Sequence, residues 1–302
     1  MSNEILFSII VPQRNAISML PHLMASIPDR DDIEIIIVDN TPTPITRDEI
    51  GVDKNYKLLW SAPERHAGGA RNVGIENAQG QWLIFADADD YFTANAFDVF
   101  DSFVNSKADI VYFKAEGVYL DTGRHSTRAD LYSKLVDEYC SDKATEMNMR
   151  LNYCVPWAKM LNSKFVREGR FRYDEIRAGN DIYFSTITGF YANNVEAADA
   201  VVYNVTVTCG SLTKRKDYEV IKARLFSKLH CNQFLREHGL SDYQNSVMFA
   251  FKEARNYGIK AYIEFCGMVI KYHQNPFVNC KNWFKTMKYN IKHHDDDKYI
   301  VR

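Results

Sequence analysis

The stretch "GGARNVGIENAQGQWLIFADADD", residues 68–90, decides the fold. It opens with two glycines, continues with helical periodicity, and then runs through the apolar segment 81–86 into three carboxylates. A helix followed at once by a buried strand is a building unit of α/β proteins. Because like charges repel, the closely spaced Asp87, Asp89 and Asp90 need a physical reason for standing together.

Working outward from this stretch, short apolar runs alternate with helical patterns through the first hundred residues. This alternation predicts a doubly wound α/β sheet, in which ligands bind beyond the carboxyl ends of the strands. Pro21 suits the first turn of the first helix. The predicted strands are 5–11, 33–39, 56–60 and 81–86, the predicted helices are 17–27 and 68–80, and the strand ends of interest are Pro12–Asn15, Asp39–Asn40 and Asp87–Asp90.

The later part of the chain shows a different pattern. The segment 108–120, "ADIVYFKAEGVYL", predicts a hairpin, and 200–207, "AVVYNVTV", predicts a further strand. From about residue 216 the pattern is helical. Ser241 followed by Gln244 has the spacing of a capping box, and Gly258 is a plausible helix stop.

Composition and charge bound the class of protein. The 302 residues are 46% hydrophobic and 25% charged, which is typical of a soluble globular protein with a sizeable core. From Lys216 to Arg302 there are 15 basic and 9 acidic residues, whereas the preceding part has 22 and 30. The acidic part and the basic part are therefore expected to meet different partners. Nucleic-acid binding is disfavoured because the basic residues of the acidic part form no cluster.

Cysteine usage and hydropathy indicate the compartment. The six cysteines have no zinc-binding spacing, so we expect free thiols in a reducing environment. The first residues lack the basic region of a signal peptide. The apolar stretch 261–270 contains Glu264 and is too short to span a bilayer. We expect a cytoplasmic protein, at most peripheral on the cytoplasmic face of a membrane.

The acidic cluster at 87–90 has two interpretations. Aspartates are common in turns and at helix N-caps, which is the simpler one. The other is a divalent cation site, since Mg²⁺ or Mn²⁺ is commonly held by one or two carboxylates, with waters and substrate phosphates completing the shell. Gly68 and Gly69 would bring a helix N-terminus close to a phosphate, and Arg71 would pair with it. The alternatives are an ordinary flexible loop for the glycines and a surface salt bridge for Arg71.

Five segments occur in an order and at a spacing that resemble a known family. They are "SIIVPQRN", "IEIIIVDN", the stretch 68–90 quoted above, "VPWAKM" and "AGNDIYF". Together they resemble the inverting glycosyltransferases of family 2, which have the GT-A fold, over about residues 5–215. The resemblance implies an α/β GT-A domain at 1–215 with a mixed, doubly wound sheet. A nucleotide-sugar-binding half (1–106) and an acceptor-binding half (107–215) would precede a helical, basic region at 216–302.

The resemblance also implies a donor site and a metal site. Asp89 would be the direct ligand of Mn²⁺ or Mg²⁺, with Asp87 facing the ribose and the water shell of the metal. The residues implied to contact the nucleotide and its diphosphate are Pro12, Asn15, Asp39, Asn40, Gly69, Arg71, Asp87 and Asp89.

On the acceptor side, the resemblance implies a base and three binding residues. Asp90 would lie beside the sugar, Trp157 and Lys159 would contact the acceptor, and Asp181 would be the general base. Asp174 and Glu175 are nearby alternatives for the base. Asp181 is also expected in the first turn of a helix at 180–191, where aspartate is common for structural reasons. An aspartate with an ordinary pKa of about 3.9 is already ionised at neutral pH and needs only correct placement.

The implied reaction is a single in-line displacement at the anomeric carbon of a nucleotide sugar. Direct attack inverts that carbon, so an α-linked donor gives a β-linkage. The expected donor is a UDP-hexose or a UDP-N-acetylhexosamine, and the expected acceptor is a glycan or a lipid-linked saccharide. Synthesis of a surface polysaccharide is the expected setting.

Three departures from the family pattern keep alternatives open. Gln13 and Arg14 stand where many members have an aromatic residue, and Asn40 replaces a frequent second aspartate. Asn180 stands where the family usually has glutamate, which leaves open a catalytically degenerate nucleotide-sugar-binding protein. A nucleotide-sugar pyrophosphorylase, the other alternative, would need a glycine-rich loop after the first strand, where "VPQRN" has no glycine.

Two basic segments have both a functional and a simpler interpretation. In 278–294 the lysines Lys281, Lys285, Lys288 and Lys292 follow helical spacing and form one stripe. A basic amphipathic helix can lie on an anionic membrane, or it can pack on the protein with a solvated lysine face. The segment 210–216, "GSLTKRK", is either a loop that closes over the diphosphate or a solvated basic turn.

Overall fold

Residues 4–207 and 217–279 are described by the computed structural model. The chain divides into two units, Met1–Glu175 with Phe184–Thr208, and Ile176–Tyr183 with Cys209–Arg302. The boundary predicted near residue 216 falls outside the described residues and stays a prediction.

The first unit is built on one mixed sheet. Hydrogen bonding joins the strands in the order β3-β2-β1-β4-β8-β6-β9-β5, with β7 paired to β6. The four strands predicted in the first hundred residues are present, with ends shifted by two residues at most. The strands are β1 (Phe7–Gln13), β2 (Ile33–Asp39), β3 (Lys57–Trp60), β4 (Trp82–Phe85), β5 (Tyr91–Phe92), β6 (Ile110–Tyr119), β7 (His125–Ser126), β8 (Lys159–Asn162) and β9 (Val195–Val207).

Strands β1 to β4 form the parallel half of the sheet. Phe7 of β1 lies opposite Ile33 of β2 and Trp82 of β4, so the three strands start in register. Every residue of β1 and of β4 is buried, which is the pattern of strands covered on both faces. The carboxyl ends of these parallel strands therefore meet along one edge of the sheet.

The other half of the sheet makes it mixed, as the expected fold class requires. Strand β8 runs antiparallel to β4 and β6, while β9 runs parallel to β6. The hairpin predicted at 108–120 is wrong, because this segment forms the single long strand β6. Gly117 does not make a turn there; a Cβ on it would lie 2.3 Å from the carbonyl oxygen of Ser126, so the glycine lets β7 approach.

Helices cover this sheet, and one of them reaches the functional edge. Helix α3 ends at Asn77 rather than at Gly80 and begins two residues before the glycine pair. A Cβ on Gly74 would lie 2.3 Å from Cγ2 of Ile10, so this glycine lets α3 pack closely on β1. The helices of this part are α1 (Leu20–Ala25), α2 (Arg47–Ile50), α3 (His66–Asn77), α4 (Ala96–Asp101), α5 (Asp130–Ser141), α6 (Glu146–Asn152) and α7 (Ser163–Glu168), followed by α8 (Asn180–Tyr191), which begins in the second unit.

The described part of the second unit is helical, as predicted for the C-terminal region. It contains α9 (Tyr218–Glu237), α10 (Met248–Ala254) and α11 (Ile259–Lys271). Buried apolar side chains hold these helices together, among them Leu225, Leu229, Phe249, Phe265 and Val269. None of the helices in the described ranges is both long and apolar enough to cross a bilayer.

Two helix-boundary predictions in this unit are wrong. Ser241 does not cap a helix; Ser241–Tyr243 form a short 3₁₀ turn, and α10 begins only at Met248. Gly258 does not end a helix either. With a φ of 77°, a conformation that favours glycine, it is the residue from which α11 begins.

Candidate active site

The carboxyl ends of β1 and β2 form a rigid polar floor. The Asp39 carboxylate is 1% exposed and accepts hydrogen bonds from Gln13 Nε2 (3.1 Å) and Thr41 Oγ1 (2.7 Å). It also accepts from the backbone N–H groups of Thr41 (3.1 Å) and Ile45 (3.0 Å). These bonds fix a buried carboxylate at the strand end, where the sequence predicts contact with the nucleotide base.

Asn40 continues this floor toward the chain that follows β3. Its Nδ2 donates to the carbonyl oxygens of Ser61 (3.2 Å) and Ala62 (2.7 Å). Its Oδ1 accepts a long hydrogen bond from Arg14 Nη1 (3.4 Å). Asn15, the next residue after Arg14, is exposed and has a φ of 56°, which asparagine tolerates better than most residues. The fold therefore brings Asn40 and Arg14 together and leaves the neighbouring Asn15 exposed.

Trp60 is a feature of this edge that the sequence analysis did not single out. It ends β3 opposite Asp39, is 46% exposed, and its indole N–H donates to the carbonyl oxygen of Thr41 (3.1 Å). An exposed, oriented aromatic ring can stack on a planar ligand. One sequence signal could have identified Trp60: it is the last residue of the predicted strand 56–60, whose carboxyl end lies at the same edge of the sheet as Asp39.

The acidic cluster begins with an ion pair. Arg71 Nη2 lies 2.6 Å from Asp87 Oδ1, with side-chain exposures of 7% and 26%. The guanidinium also lies over the Tyr173 ring, 5.3 Å from its centroid. Because α3 begins at His66, two residues before the glycine pair, Arg71 stands in the second turn of this helix. Its guanidinium holds Asp87 in this structure, so its contact with a donor phosphate stays a prediction.

Strand β9 holds the cluster from the other side. The Tyr203 hydroxyl accepts the backbone N–H of Asp87 (2.8 Å). Thr206 donates its N–H to Asp90 Oδ1 (2.7 Å) and its hydroxyl to the carbonyl oxygen of Asp89 (2.5 Å). We call these three bonds the β9 clamp. Neither clamp residue, Tyr203 or Thr206, was predictable from the sequence, since nothing local distinguishes them from other residues of a β-strand.

Burial and mutual repulsion disfavour the charged form of two carboxyls. Burial first, and then the charge of Asp87, raises the pKa of Asp89. Burial, followed by the charges of Asp89 and Asp87, raises the pKa of Asp90 well above its ordinary value. Arg128, between β7 and α5, opposes both shifts, and its Nη1 donates to the carbonyl oxygen of Thr206 (3.1 Å). Arg128 is a further cation at this site that the sequence analysis missed.

The carboxylate oxygens of the cluster could hold a divalent cation whose coordination shell is completed by waters and substrate. No group of three or more His, Cys, Asp or Glu within residues 4–207 and 217–279 has the arrangement of a self-contained metal site. Asp87 and Asp89 supply hard oxygen ligands, and Mg²⁺ is typically held by one or two carboxylates with waters and phosphates. A cation here would also offset the repulsion that raises the pKa of Asp89. Asp90 is less suited, because it is 3% exposed and bound to Thr206.

Asp90→Asn is expected to stabilise the protein at neutral pH when no divalent cation is present. A carboxyl whose pKa is raised by folding contributes stability below its unfolded pKa and loses it as the pH rises through the folded pKa. The neutral amide keeps an oxygen to accept from Thr206 and removes the buried charge. We expect a gain of about 0.5–2 kcal/mol in unfolding free energy at pH 7 that disappears toward pH 4. Urea unfolding in EDTA at both pH values measures it.

Asp98→Asn is the matched control for this measurement, since Asp98 is exposed on α4. It should leave the pH dependence as in the wild type. A loss of stability at pH 7 in Asp90→Asn would mean that the folded protein stabilises the Asp90 carboxylate, contrary to the direction of its pKa.

Gly69 has a packing role beside its implied ligand contact. A Cβ on Gly69 would lie 2.3 Å from Cβ of Arg65. Arg65 in turn binds Glu175 through two hydrogen bonds of 2.6 and 2.9 Å, which lower the pKa of Glu175. Glu175 also accepts from Asn72 (3.2 Å). Glu175 is thus committed to structural contacts, which makes it a weaker alternative for the general base.

Trp157 and Lys159 lie in the interior of the first unit. Trp157 is 3% exposed and stacks on Tyr203 with a centroid distance of 5.9 Å. Lys159 is 2% exposed, and its ammonium donates to Ser185 Oγ (3.1 Å) and to the carbonyl oxygen of Tyr153 (3.3 Å). Their direct contact with an acceptor stays a prediction. Trp157 supports the clamp residue Tyr203, and the Lys159 charge is satisfied inside the protein.

Asp181 lies in the second unit, in the first turn of α8, whose limits match the predicted helix 180–191. The neighbouring Asn180 is 8% exposed. Within the same unit, burial lowers the pKa of Arg224 on α9, and the negative charges of Asp217 and Asp181 oppose that shift. Arg224 is therefore a half-buried cation near Asp181, which the sequence analysis missed because helical periodicity alone does not identify the partner of a charged residue.

Known proteins resemble this chain in sequence and in fold. A family model described as Glycosyl transferase family 2 matches residues 8–168, more than half of the chain. The poly(ribitol-phosphate) beta-N-acetylglucosaminyltransferase TarS of Staphylococcus aureus is 22% identical over 277 residues, which cover 85% of this chain and 47% of TarS.

Two further comparisons concern a bacterial enzyme and a solved structure. The UDP-Glc:alpha-D-GlcNAc-diphosphoundecaprenol beta-1,3-glucosyltransferase WfaP of Escherichia coli is 27% identical over 117 residues, 36% of this chain and 46% of WfaP. The crystal structure of S. aureus TarS 1-349 in complex with UDP-GlcNAc aligns with a TM-score of 0.61 at 18% identity, over 89% of this chain and 80% of that one. The chain thus spans about half the length of TarS and shares the TarS fold, which is the expected GT-A fold.

Proposed function

This chain belongs to glycosyl transferase family 2, and we propose that it transfers a sugar from a nucleotide sugar to a saccharide hydroxyl. The donor is a UDP-hexose or a UDP-N-acetylhexosamine, and the product carries a β-linkage. Support for the donor comes from TarS, whose crystal structure contains UDP-GlcNAc. The proposed setting is the synthesis of a surface polysaccharide. In support, the name of TarS gives poly(ribitol-phosphate), and that of WfaP a diphosphoundecaprenol-linked sugar, as what those proteins act on.

The acidic cluster held between α3 and β9 is the observation that carries this proposal. Arg71 fixes Asp87, and Thr206 fixes Asp90. No described residue outside the cluster forms an ion pair or a side-chain hydrogen bond with the Asp89 carboxylate. A half-buried carboxylate with a raised pKa lowers the stability of the folded protein at neutral pH, and such groups are typical of functional sites. The oxygen ligands of the acidic cluster are suited to a divalent cation that also binds a diphosphate.

The proposed step is one displacement whose atoms balance. The acceptor hydroxyl oxygen forms a bond to the anomeric carbon as the bond from that carbon to the diphosphate oxygen breaks. The leaving UDP takes the electron pair, and the proton of the hydroxyl goes to the Asp181 carboxylate. Asp89 and Asp87 would hold Mn²⁺ or Mg²⁺, whose positive charge would stabilise the leaving diphosphate. Arg71 and Arg128 add positive charge on the protein side of the cluster.

The acceptor is a glycan or a lipid-linked saccharide in this proposal. Asp90, Trp157 and Lys159 remain the proposed acceptor side. All three are buried, and Asp90 and Trp157 also contact the clamp residues Thr206 and Tyr203. The protein acts in the cytoplasm in this proposal, at most peripheral on the cytoplasmic face of a membrane. The basic helix predicted at 278–294, on a membrane or packed on the protein, lies outside the described residues from Cys280 onward. The basic segment at 210–216 lies outside them as well.

Nucleotide release tests the proposal. The protein is incubated with UDP-GlcNAc, UDP-Glc, UDP-GalNAc or UDP-Gal, with Mn²⁺ or with EDTA, and UDP and transferred sugar are measured with bacterial glycan fractions as acceptors. We expect UDP release from one donor that requires Mn²⁺. Release that persists undiminished in EDTA would contradict the metal-dependent form of the proposal.

A catalytically degenerate nucleotide-sugar-binding protein is the second candidate, and Asn180 favours it. A neutral residue beside Asp181 removes one influence that would raise the pKa of the base. This alternative predicts a thermal shift with a nucleotide sugar and no release of UDP from any donor or acceptor. Calorimetric binding measured beside the release assay separates it from the enzyme.

A further inference from the structure

Helix α11 presents an apolar face to solvent. Ile259, Ile263 and Ile270 are 72%, 66% and 72% exposed, although isoleucine is among the residues most often buried. The opposite face of the same helix packs into the core through Phe265 and Val269. The exposed isoleucines are therefore not a consequence of a loosely packed helix; α11 is apolar on both sides.

The exposed isoleucines form a continuous row. At about 100° per residue, Ile259, Ile263 and Ile270 fall within roughly 40° of arc and extend for about 16 Å along the helix. Cys266 is exposed near the same arc, and Phe277, six residues after the helix ends, is 71% exposed. Single exposed apolar residues are ordinary, but a contiguous row marks a surface that binds something apolar. We call Ile259, Ile263 and Ile270 the α11 surface.

Positive charge borders the α11 surface. Lys260 and Lys271 are exposed on α11, about 100° and 120° around the helix from Ile259. The acidic residue of this helix, Glu264, is neutralised, since its carboxylate lies 2.6 Å from Lys222 Nζ and accepts from the Tyr218 hydroxyl. Directly after the described residues, the sequence adds four helically spaced lysines between 281 and 292.

An apolar row with a lysine border fits an anionic lipid surface better than a second copy of the chain. Isoleucine side chains can enter the acyl boundary while the lysines reach phosphate headgroups. Two copies meeting through this face by two-fold symmetry would bring the same lysine-bordered patch against itself, which places like charges together. The positive charge of the bordering lysines therefore favours an anionic lipid surface over a second copy of the chain.

We propose that the α11 surface docks this protein onto an anionic membrane, with α11 lying in the plane of the interface. The proposal goes beyond the reaction and does not depend on it, because it uses no residue of the acidic cluster. It also differs from a contact made by the 278–294 segment alone, which would need none of the isoleucines.

Vesicle co-sedimentation of the full chain tests the proposal. Wild-type protein is mixed with vesicles of phosphatidylcholine alone or with 30% phosphatidylglycerol, and the bound fraction is measured against lipid concentration. The variant is Ile263→Gln with Ile270→Gln, which keeps helix propensity and alters only exposed side chains. The matched control is Leu120→Gln, since Leu120 is 43% exposed in the other unit. Circular dichroism checks that each variant is folded.

We expect wild type and Leu120→Gln to bind the anionic vesicles equally and the double variant to bind roughly tenfold or more weakly. Three results would overturn the proposal. One is no binding of wild type to anionic vesicles, and another is equal binding by the double variant, which would assign the contact to the basic segment alone. The third is a wild-type dimer, seen by light scattering, that the double variant breaks while vesicle binding is absent.

Discussion

Asp89→Asn is expected to lower kcat/KM for sugar transfer by roughly 10²–10³-fold, comparable to removal of one group that stabilises transition-state charge. Among the three clustered aspartates, Asp87 is paired with Arg71 and Asp90 is bound to Thr206. Asp89 is therefore the carboxylate best able to serve as a direct cation ligand. Transfer rates measured over a range of Mn²⁺ concentrations should show that the variant no longer responds to the metal as the wild type does.

A second readout separates metal binding from catalysis. Calorimetric titration of Mn²⁺ in the presence of UDP should show a clear loss of affinity in Asp89→Asn. Asp98→Asn, which makes the same chemical change at an exposed position on α4, should match the wild type in both assays. If Asp89→Asn kept the Mn²⁺ response and affinity of the wild type, Asp89 would not be a ligand, and the metal-dependent mechanism would lose its main residue.

Asp181→Asn is expected to lower kcat for transfer by roughly 10²–10⁴-fold, the range typical of a lost general base. The amide cannot accept the proton of the attacking hydroxyl, yet it keeps the size of the side chain and its place in the first turn of α8. The KM for the donor should change little, because the donor contacts assigned here lie in the first unit. Steady-state kinetics with saturating acceptor measure this separation.

Two companion variants sharpen the test of Asp181. Asp242→Asn changes an exposed aspartate of the same unit and should retain full activity. Asn180→Glu puts a second carboxylate beside Asp181, which should raise the pKa of the base and move the acidic limb of the pH–rate profile to higher pH. Full transfer activity in Asp181→Asn would refute its role as the base. In that case Asp174 would be the next residue to test, since Glu175 is bound to Arg65.

The parallel half of the fold was predictable because its signals are local and agree. Continuous apolar runs bounded by turn residues predict strands covered on both faces, and β1 and β4 are buried throughout, as is β2 from Ile35 onward. The helix at 180–191 was also predictable, because its signals are likewise local and agree with one another. The hairpin at 108–120 failed because Gly117 has two uses that local sequence cannot separate, a turn or a close approach between strands.

The acidic cluster was predictable as a list of residues but not as an arrangement. Sequence placed Asp87, Asp89 and Asp90 at a strand end, where they lie. It could not show that Thr206, more than a hundred residues later, holds two members of the cluster. Lys159 shows the same limit, since a lysine in a motif does not reveal its burial, and tertiary packing places this one beside Ser185 and Tyr153.

The β9 clamp also limits how this cluster can be moved into another protein. A designer who grafts only the segment 85–92 onto a foreign scaffold would leave the N–H of Asp87 and the carboxylate of Asp90 without the partners that orient them. The transplanted carboxylates would then relax apart to relieve their repulsion. The smallest transferable module is therefore discontinuous: the loop together with a neighbouring strand that carries the equivalents of Tyr203 and Thr206.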